Sequence, residues 1–227
     1  ILQKAGDVIP DIVSVIKEMR TEKEKPYEFP MCVSACGGDG KIERIEGQVA
    51  WKCVNKNSFA IQKRKFYHFV SKKAFNIDGL GPKIIDLLLE KGLISSYEDI
   101  FTLKKGDLLN LPRFAKKSVD NLIISIDKAR KITLPKFLIS LSIPQVGEET
   151  TNDLAKYFKT VEKIKKVTLF ELKSVYGIGD IVSCSVVEWF KNKENQKLID
   201  KLLKQVEIVK VKEITTNKKP FIGKTFA

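Results

Sequence analysis

A mainly α chain behind a small β-rich front is the fold class that the sequence predicts, and three observations carry the prediction. Residues 31 to 62 are short and turn-rich, and "KIERIEGQVAWKC" (41–53) alternates as a hairpin does. From about Lys63 the hydrophobic period changes to that of helices. Within the helical part, one small-residue turn recurs at a nearly fixed interval.

Residues 1–16 partly alternate and carry Gly6 and Pro10, so a strand or two closing a β-structure is expected there. "KEMRTEKEKPYEFP" (17–30) is charged, holds Pro26 and Pro30, and reads as a linker. "KIIDLLLEKGLI", "VDNLIISIDKA", "TTNDLAKYF", "LFELKSV", "VVEWF" and "QKLIDKLLKQV" fit helical spacing, with Gly92, Pro135 and Pro144 punctuating between them. After Val206, "EIVKVKEI" alternates, and a polar "TTNKKP" leads into "FIGKTFA", which reads as the first strand of a further unit.

The recurring turn is "GLGPK" (79–83) and "GIGDI" (177–181), with "RFAKK" (113–117) and "QVGEE" (145–149) placed alike before a helix. The last small residues of these turns, Gly81, Ala115, Gly147 and Gly179, stand 34, 32 and 32 residues apart. Each unit is then a helix, a tight turn about an apolar pivot (Leu80, Phe114, Val146, Ile178) and a second helix, the helix-hairpin-helix pattern. Glycine accepts φ > 0 and lets a ligand approach the backbone. The free N–H groups of a helix start suit a phosphate. A positive φ is expected at Gly81 and Gly179, so a β-branched residue there would strain the turn. Arg113 and Ala115 replace glycines in the second turn and Gln145 replaces one in the third, so those turns are expected to be held differently; Arg113 can add a phosphate contact of its own. The competing reading is a helical solenoid without a ligand.

Lys+Arg 41 against Asp+Glu 28 leaves a net charge of +13, which favours a polyanionic partner, nucleic acid before an acidic membrane. Lysine used simply for solubility is the plainer account of the charge by itself. "KRKFYHFVSKK" (63–73) sets five basic residues and no acid beside three aromatics. It reads equally as a DNA contact or as a solvated helix with an aromatic stripe in the core. No run approaches the roughly 18–20 apolar residues of a membrane helix. The start has no signal-peptide layout and no Met, and the chain is expected to be part of a longer protein.

Cys32 and Cys36 have three residues between them, and Cys53 follows after sixteen more. The cluster has the shape of a structural zinc ribbon but is one ligand short. Beyond Cys53 stand only Asn55, Asn57 and Ser58, and the single His, His68, falls in a predicted helix. Two readings stay open: zinc held weakly by three thiolates, or a former ribbon held by packing around Trp51 and Phe59. Cys184, on an apolar helix, is expected to be a core thiol.

In this order the parts resemble the C-terminal half of a bacterial NAD-dependent DNA ligase. "AGDVIP" (5–10) is similar to the end of that family's OB-fold, and "CGGDGKIERIEGQVAWKCVN" (36–55) to its four-cysteine zinc finger. "FYHFVSKKAFNIDGLGPKIIDLLLEKGLI" (66–94), "PQVGEETTNDLAKYF" and "VYGIGDIVSCSVVEWF" resemble its hairpins, and "FIGKTFA" the first strand of its BRCT domain. The resemblance implies four parts: the OB-fold end and linker over 1–27, the zinc-finger-like module over 28–62, four hairpins over 63–206, and a linker with the first BRCT strand over 207–227.

It implies a cytoplasmic, nucleoid-associated bacterial enzyme that seals nicks in double-stranded DNA, using NAD and magnesium in an N-terminal part, and it implies no membrane and a monomer. The family's adenylated lysine sits in K-x-D-G, and the near match here, "NIDG" (76–79), has Asn76 in that place, so this chain is expected to be catalytically inactive by itself. The residues expected at DNA are Gly79, Leu80, Gly81, Lys83, Arg113, Lys116, Lys117, Val146, Gly147, Gly177, Ile178 and Gly179, with the first and fourth turns contributing most. The metal set would be Cys32, Cys36 and Cys53, with Ser58 at or near the position of the fourth cysteine. A free-standing repair module or a protein–protein adaptor would share the hairpins without the parts that precede them.

Overall fold

A computed structural model describes all residues except 1, 6–8, 22, 45–48, 56–57, 113 and 211–227. The expected strand "FIGKTFA" lies outside the described residues. The chain divides into two compact units, one ending at Ser58 and one beginning at Phe59.

The first unit is built from two hairpins. Strands β1 (Leu2–Ala5) and β2 (Ile9–Ile12) pair antiparallel, with Leu2 opposite Ile12. Strands β3 (Ile42–Arg44) and β4 (Trp51–Cys53) form the second pair, Ile42 opposite Cys53, as the alternation predicts. Between the hairpins the charged linker carries one 3-10 turn, Lys17–Met19. Trp51 stacks on Phe29, ring centroids 4.8 Å apart and 24° from coplanar. Phe29, read from sequence as linker, therefore takes the place expected of Phe59. Phe59 instead opens the first helix of the second unit, half-exposed, with the Lys63 ammonium 5.2 Å above its ring.

The second unit is helical: α1 (Phe59–Val70), α2 (Pro82–Glu90), a 3-10 helix (Tyr97–Thr102), α3 (Lys105–Leu109) and α4 (Lys116–Ala129). A short strand β5 (Lys131–Thr133) leads into α5 (Leu134–Ser140), α6 (Glu148–Phe158), α7 (Val161–Lys165), α8 (Leu169–Lys173), α9 (Asp180–Lys191) and α10 (Lys193–Leu203). Strand β6 (Glu207–Val209) returns to pair parallel with β5. Helix α1 starts four residues before the expected change of period, because "FAIQ" contains no helix breaker.

The aromatic stripe of α1 belongs to the core. Phe69 stacks on Tyr97 at 4.6 Å and tilts against Phe75 at 4.4 Å, while Phe66 meets Tyr97 edge-on. Burial pushes the Tyr97 phenol up to about 12. Full burial of a side chain like Phe69 or Phe137 contributes about 1.5–3 kcal/mol. His68 is satisfied within this unit, its Nε2 2.8 Å from the Ile139 carbonyl oxygen, so α1 is tied to α5. Arg130 joins distant segments at the other end. Its guanidinium donates to the carbonyls of Phe101 and Gln205 and to Asp127, and its own carbonyl accepts the Glu207 N–H at 2.7 Å.

Cys184 is exposed, contrary to the expectation of a core thiol. The buried face of α9 is Ser183, Val186, Val187 and Phe190, spaced by three and four, and residue 184 lies off it. Ser183 can occupy that face because its hydroxyl donates to the Gly179 carbonyl at 2.9 Å.

Candidate nucleic-acid interface

The four turns share one backbone plan. The pivot N–H donates to the carbonyl three residues back in each: Leu80 to Ile77, Phe114 to Leu111, Val146 to Ile143 and Ile178 to Val175. The residue before the pivot is left-handed where it is described: Gly79 at φ +86°, Gln145 at +62° and Gly177 at +84°. Arg113 lies outside the described residues. The residue after the pivot is extended and caps the next helix: Gly81 (φ −76°), Ala115 (−93°), Gly147 (−99°) and Gly179 (−85°).

Two expectations change with this geometry. The positive φ sits at Gly79 and Gly177, not at Gly81 and Gly179. The third turn is not held differently either, since Gln145 accepts the left-handed conformation at a cost of about 1–2 kcal/mol, and in the second turn Ala115 takes the same extended cap as the glycines.

Nothing in the fold requires glycine at the cap position. A Cβ built on Gly81, Gly147 or Gly179 meets no atom within 4 Å. The cap residues carry no polar side chain, and the N–H groups that open α4, α6 and α9, with those of Gly81 and Lys83 at α2, find no partner among the described residues. By contrast, α7, α8 and α10 follow no such turn, and each is capped by a side chain, from Thr160, Thr168 and Asn192. The repeated turns thus leave open donors and an uncrowded backbone. The arrangement can accept an anion that comes close to the main chain.

The turns also work in pairs. Gly79 faces the Leu122 side chain of α4, and Phe114 shares a cleft of about 430 Å³ with Gly79 and Ile84, so the first turn packs on the second hairpin and the second on the first. Gly177 faces Asp153 of α6, and the Pro144 carbonyl accepts the Ser185 hydroxyl of α9 at 2.5 Å, which repeats the reciprocal arrangement for the third and fourth.

Charge separates the two pairs. Lys83 stands in the first turn of α2 and Lys116 and Lys117 in that of α4; all three are exposed, and no acid accompanies them in that turn. Helix α6 opens with Glu148 and Glu149, and α9 with Asp180, which is paired to Lys173 at 2.7 Å. The buried pivots Leu80 and Ile178 and half-buried Val146 contribute packing and backbone, not side-chain contact. The acids are visible in the sequence, one and two positions after Gly147 and one position after Gly179, but the sequence reading did not register them.

The cysteines do not assemble as a zinc set. The Cys36 thiol donates to the Cys53 sulfur, which lowers Cys53 and raises Cys36, and Cys53 Sγ lies 3.9 Å from the carbonyl oxygens of Cys36 and Asn55. Cys32 is exposed and pairs by backbone with Lys41. Ser58 is fully buried beside Cys53, toward whose sulfur its hydroxyl is directed. Among the described residues no group of three His, Cys, Asp or Glu side chains could hold a metal. A closed tetrahedral zinc site therefore does not fit the residues present.

Residues 72–128 match the family described as the SAM-like helix-hairpin-helix tandem, and residues 136–199 match the helix-hairpin-helix motif. These are the two reciprocal pairs. The DNA ligase of Halalkalibacterium halodurans is 40% identical over 202 residues, 89% of this chain and 30% of that protein. The DNA ligase of Carboxydothermus hydrogenoformans is 40% identical over 201 residues, 88% of this chain and again 30% of the relative. The chain spans about three-tenths of the length of the curated relatives it matches.

Proposed function

The chain is homologous to a segment of the DNA ligases and carries their tandem helix-hairpin-helix domains, and from that premise we propose that it is the non-catalytic, DNA-holding part of an NAD-dependent ligase. The observation that supports this best is the set of four uncapped helix starts, each behind the same turn, at three of which glycine leaves room beside the backbone. A phosphate brought to such a start is met by N–H groups and the positive end of the helix dipole. In the first pair, Lys83, Lys116 and Lys117 add mobile positive charge. The partner is nicked double-stranded DNA, bound by a monomer.

The chemistry of sealing belongs to the rest of the enzyme, in a cytoplasmic, nucleoid-associated setting. A lysine takes AMP from NAD there, with magnesium, and AMP passes to the nick. In this chain the string nearest to K-x-D-G, "NIDG" (76–79), has Asn76 where the motif has lysine, in a turn with φ +51° and its N–H bonded to the Ser71 carbonyl. Incubated with NAD and magnesium, the chain is expected to gain no adenylate by mass spectrometry.

The test is a titration of nicked duplex with the 227-residue chain at several salt concentrations. Contacts to phosphate release counterions, so log K should fall linearly with log salt, by about 0.9 per phosphate neutralised. Affinity indifferent to salt would remove the proposal in favour of an adaptor surface.

A further inference from the structure

The period of the turns allows one hairpin to be read against another, position by position. The residue before the left-handed position is Asp78 in the first turn, Pro112 and Pro144 in the next two, and Tyr176 in the fourth. The second residue of the following helix is Lys83, Lys117, Glu149 and then Ile181. So where the first pair offers lysines to a bound phosphate, the fourth turn offers two large apolar side chains. Both are in solvent, Tyr176 at 98% and Ile181 at 75% of full exposure. Asp180, between the turn and Ile181, is paired to Lys173 at 2.7 Å, so this helix start carries little net charge of its own.

We propose that Tyr176 and Ile181 form an apolar clamp on DNA at the fourth turn, lying against the deoxyribose faces that flank a phosphate held by the open N–H groups of Gly179 and Asp180. This rests on the phosphate-binding reading of the turns. A phosphate in a nucleic acid always has a sugar on either side, and residues directly flanking the turn are the ones that reach those sugars. An exposed tyrosine and isoleucine have no folding role in these positions, since neither is in the core. Apolar contact with sugars does not release counterions. The two hairpin pairs then hold one duplex by different chemistry, ionic in the first and apolar in the fourth turn.

The experiment compares two double variants of the 227-residue chain on nicked duplex, from about 50 to about 200 mM salt. Tyr176→Ala with Ile181→Ala is expected to weaken binding about tenfold at every salt concentration, with the salt slope unchanged. Lys83→Ala with Lys117→Ala is expected to flatten the slope by about two. Tyr176→Phe should bind as the parent does, because the ring and not the hydroxyl makes the contact. If the apolar double variant binds like the parent, the clamp is overturned, and a flattened slope in the lysine variant shows that the phosphate reading survives it. If the apolar variant changes the slope, or Tyr176→Phe loses affinity, the contact is polar and the clamp is again overturned. A flat slope in the parent means that the phosphate reading itself has failed. Both side chains are exposed, so melting should not change; if the double variant melts early, single Tyr176→Ala, in the turn outside the helix, gives the same reading.

Discussion

Gly79 and Gly177 hold φ of +86° and +84°, whereas Gly81 and Gly179, two residues on, are extended at −76° and −85°. The first of each couple serves the fold. Alanine at Gly79 would meet Leu122 Cδ1 at an ordinary 3.7 Å, so its cost is conformational, about 1–2 kcal/mol for a side chain in the left-handed region. The second of each couple is dispensable to the fold, because a Cβ there points into open space. The double variant Gly81→Val, Gly179→Val should therefore keep the parent's circular dichroism and melt within a few degrees of it. It should bind duplex DNA at least tenfold more weakly, since the branched side chain stands where a phosphate must come. Parent-like DNA binding by that folded variant would show that the turns do not face DNA. The pairing of glycines was plain in the sequence. Which glycine carries the strain was not, because a G-x-G string does not fix the sign of φ at either residue.

Helices that follow the repeated turns were legible because each brings its pivot, its cap and its apolar face in one local stretch. Elements closed by distant partners were not. The Trp51–Phe29 stack joins residues on either side of the cysteine loop, and nothing in the local pattern of "KEKPYEFP" marks Phe29 as its partner. Cys184 reads as a core thiol because the helix around it is mostly apolar, and the deciding fact is that its neighbour Ser183 can hide its hydroxyl against the backbone and take the buried place.

The 3-10 helix shows the opposite case, a cap that does close. Asp99 accepts hydrogen bonds from the backbone and hydroxyl groups of Ser95 and Ser96, at 2.8–3.0 Å. Burial alone would push its carboxyl up, and those bonds outweigh it and hold it below its ordinary value. A lowered carboxylate stabilises the fold above its unfolded pKa of about 4, and that contribution is lost as pH falls through the folded value. Asp99→Asn should accordingly cost about 1 kcal/mol in urea denaturation at pH 7, with the gap to the parent narrowing toward pH 3. A gap that widens in acid would contradict this account. For the ribbon, two adjoining thiols and a buried hydroxyl do not make four ligands. Protein purified without added metal is expected to hold well under one zinc per chain, and prolonged chelation should leave its melting curve in place. Stoichiometric zinc that resists chelation would show a ligand set different from Cys32, Cys36, Cys53 and Ser58.

At the scale of the whole chain, a net charge of +13 and a repeated turn that offers main-chain donors point the same way. Charge was readable from composition. The division after Ser58 and the reciprocal pairing of first with second and third with fourth turns were not, because a period in sequence says nothing of which repeats touch. That pairing bears on what the protein can distinguish in its partner. Main-chain N–H groups and lysine ammoniums are donors suited to phosphates, which repeat without regard to sequence. Direct readout needs polar side chains set against base edges. Among the described residues, the side chains flanking the turns are instead lysines, glutamates, two aspartates, prolines, a tyrosine and an isoleucine. Affinities for random and for defined duplexes of equal length should then agree within about tenfold, or ~1.4 kcal/mol, at a fixed salt concentration. The nick is expected to matter more than the bases around it. A broken strand bends at lower cost, and a bent duplex brings successive phosphates to hairpin pairs that a straight one would reach only in part. Titrating the chain against intact and nicked duplexes of one sequence, and against nicked duplexes of several sequences, separates the two effects. A spread among sequences greater than the step from intact to nicked would assign base readout to this chain.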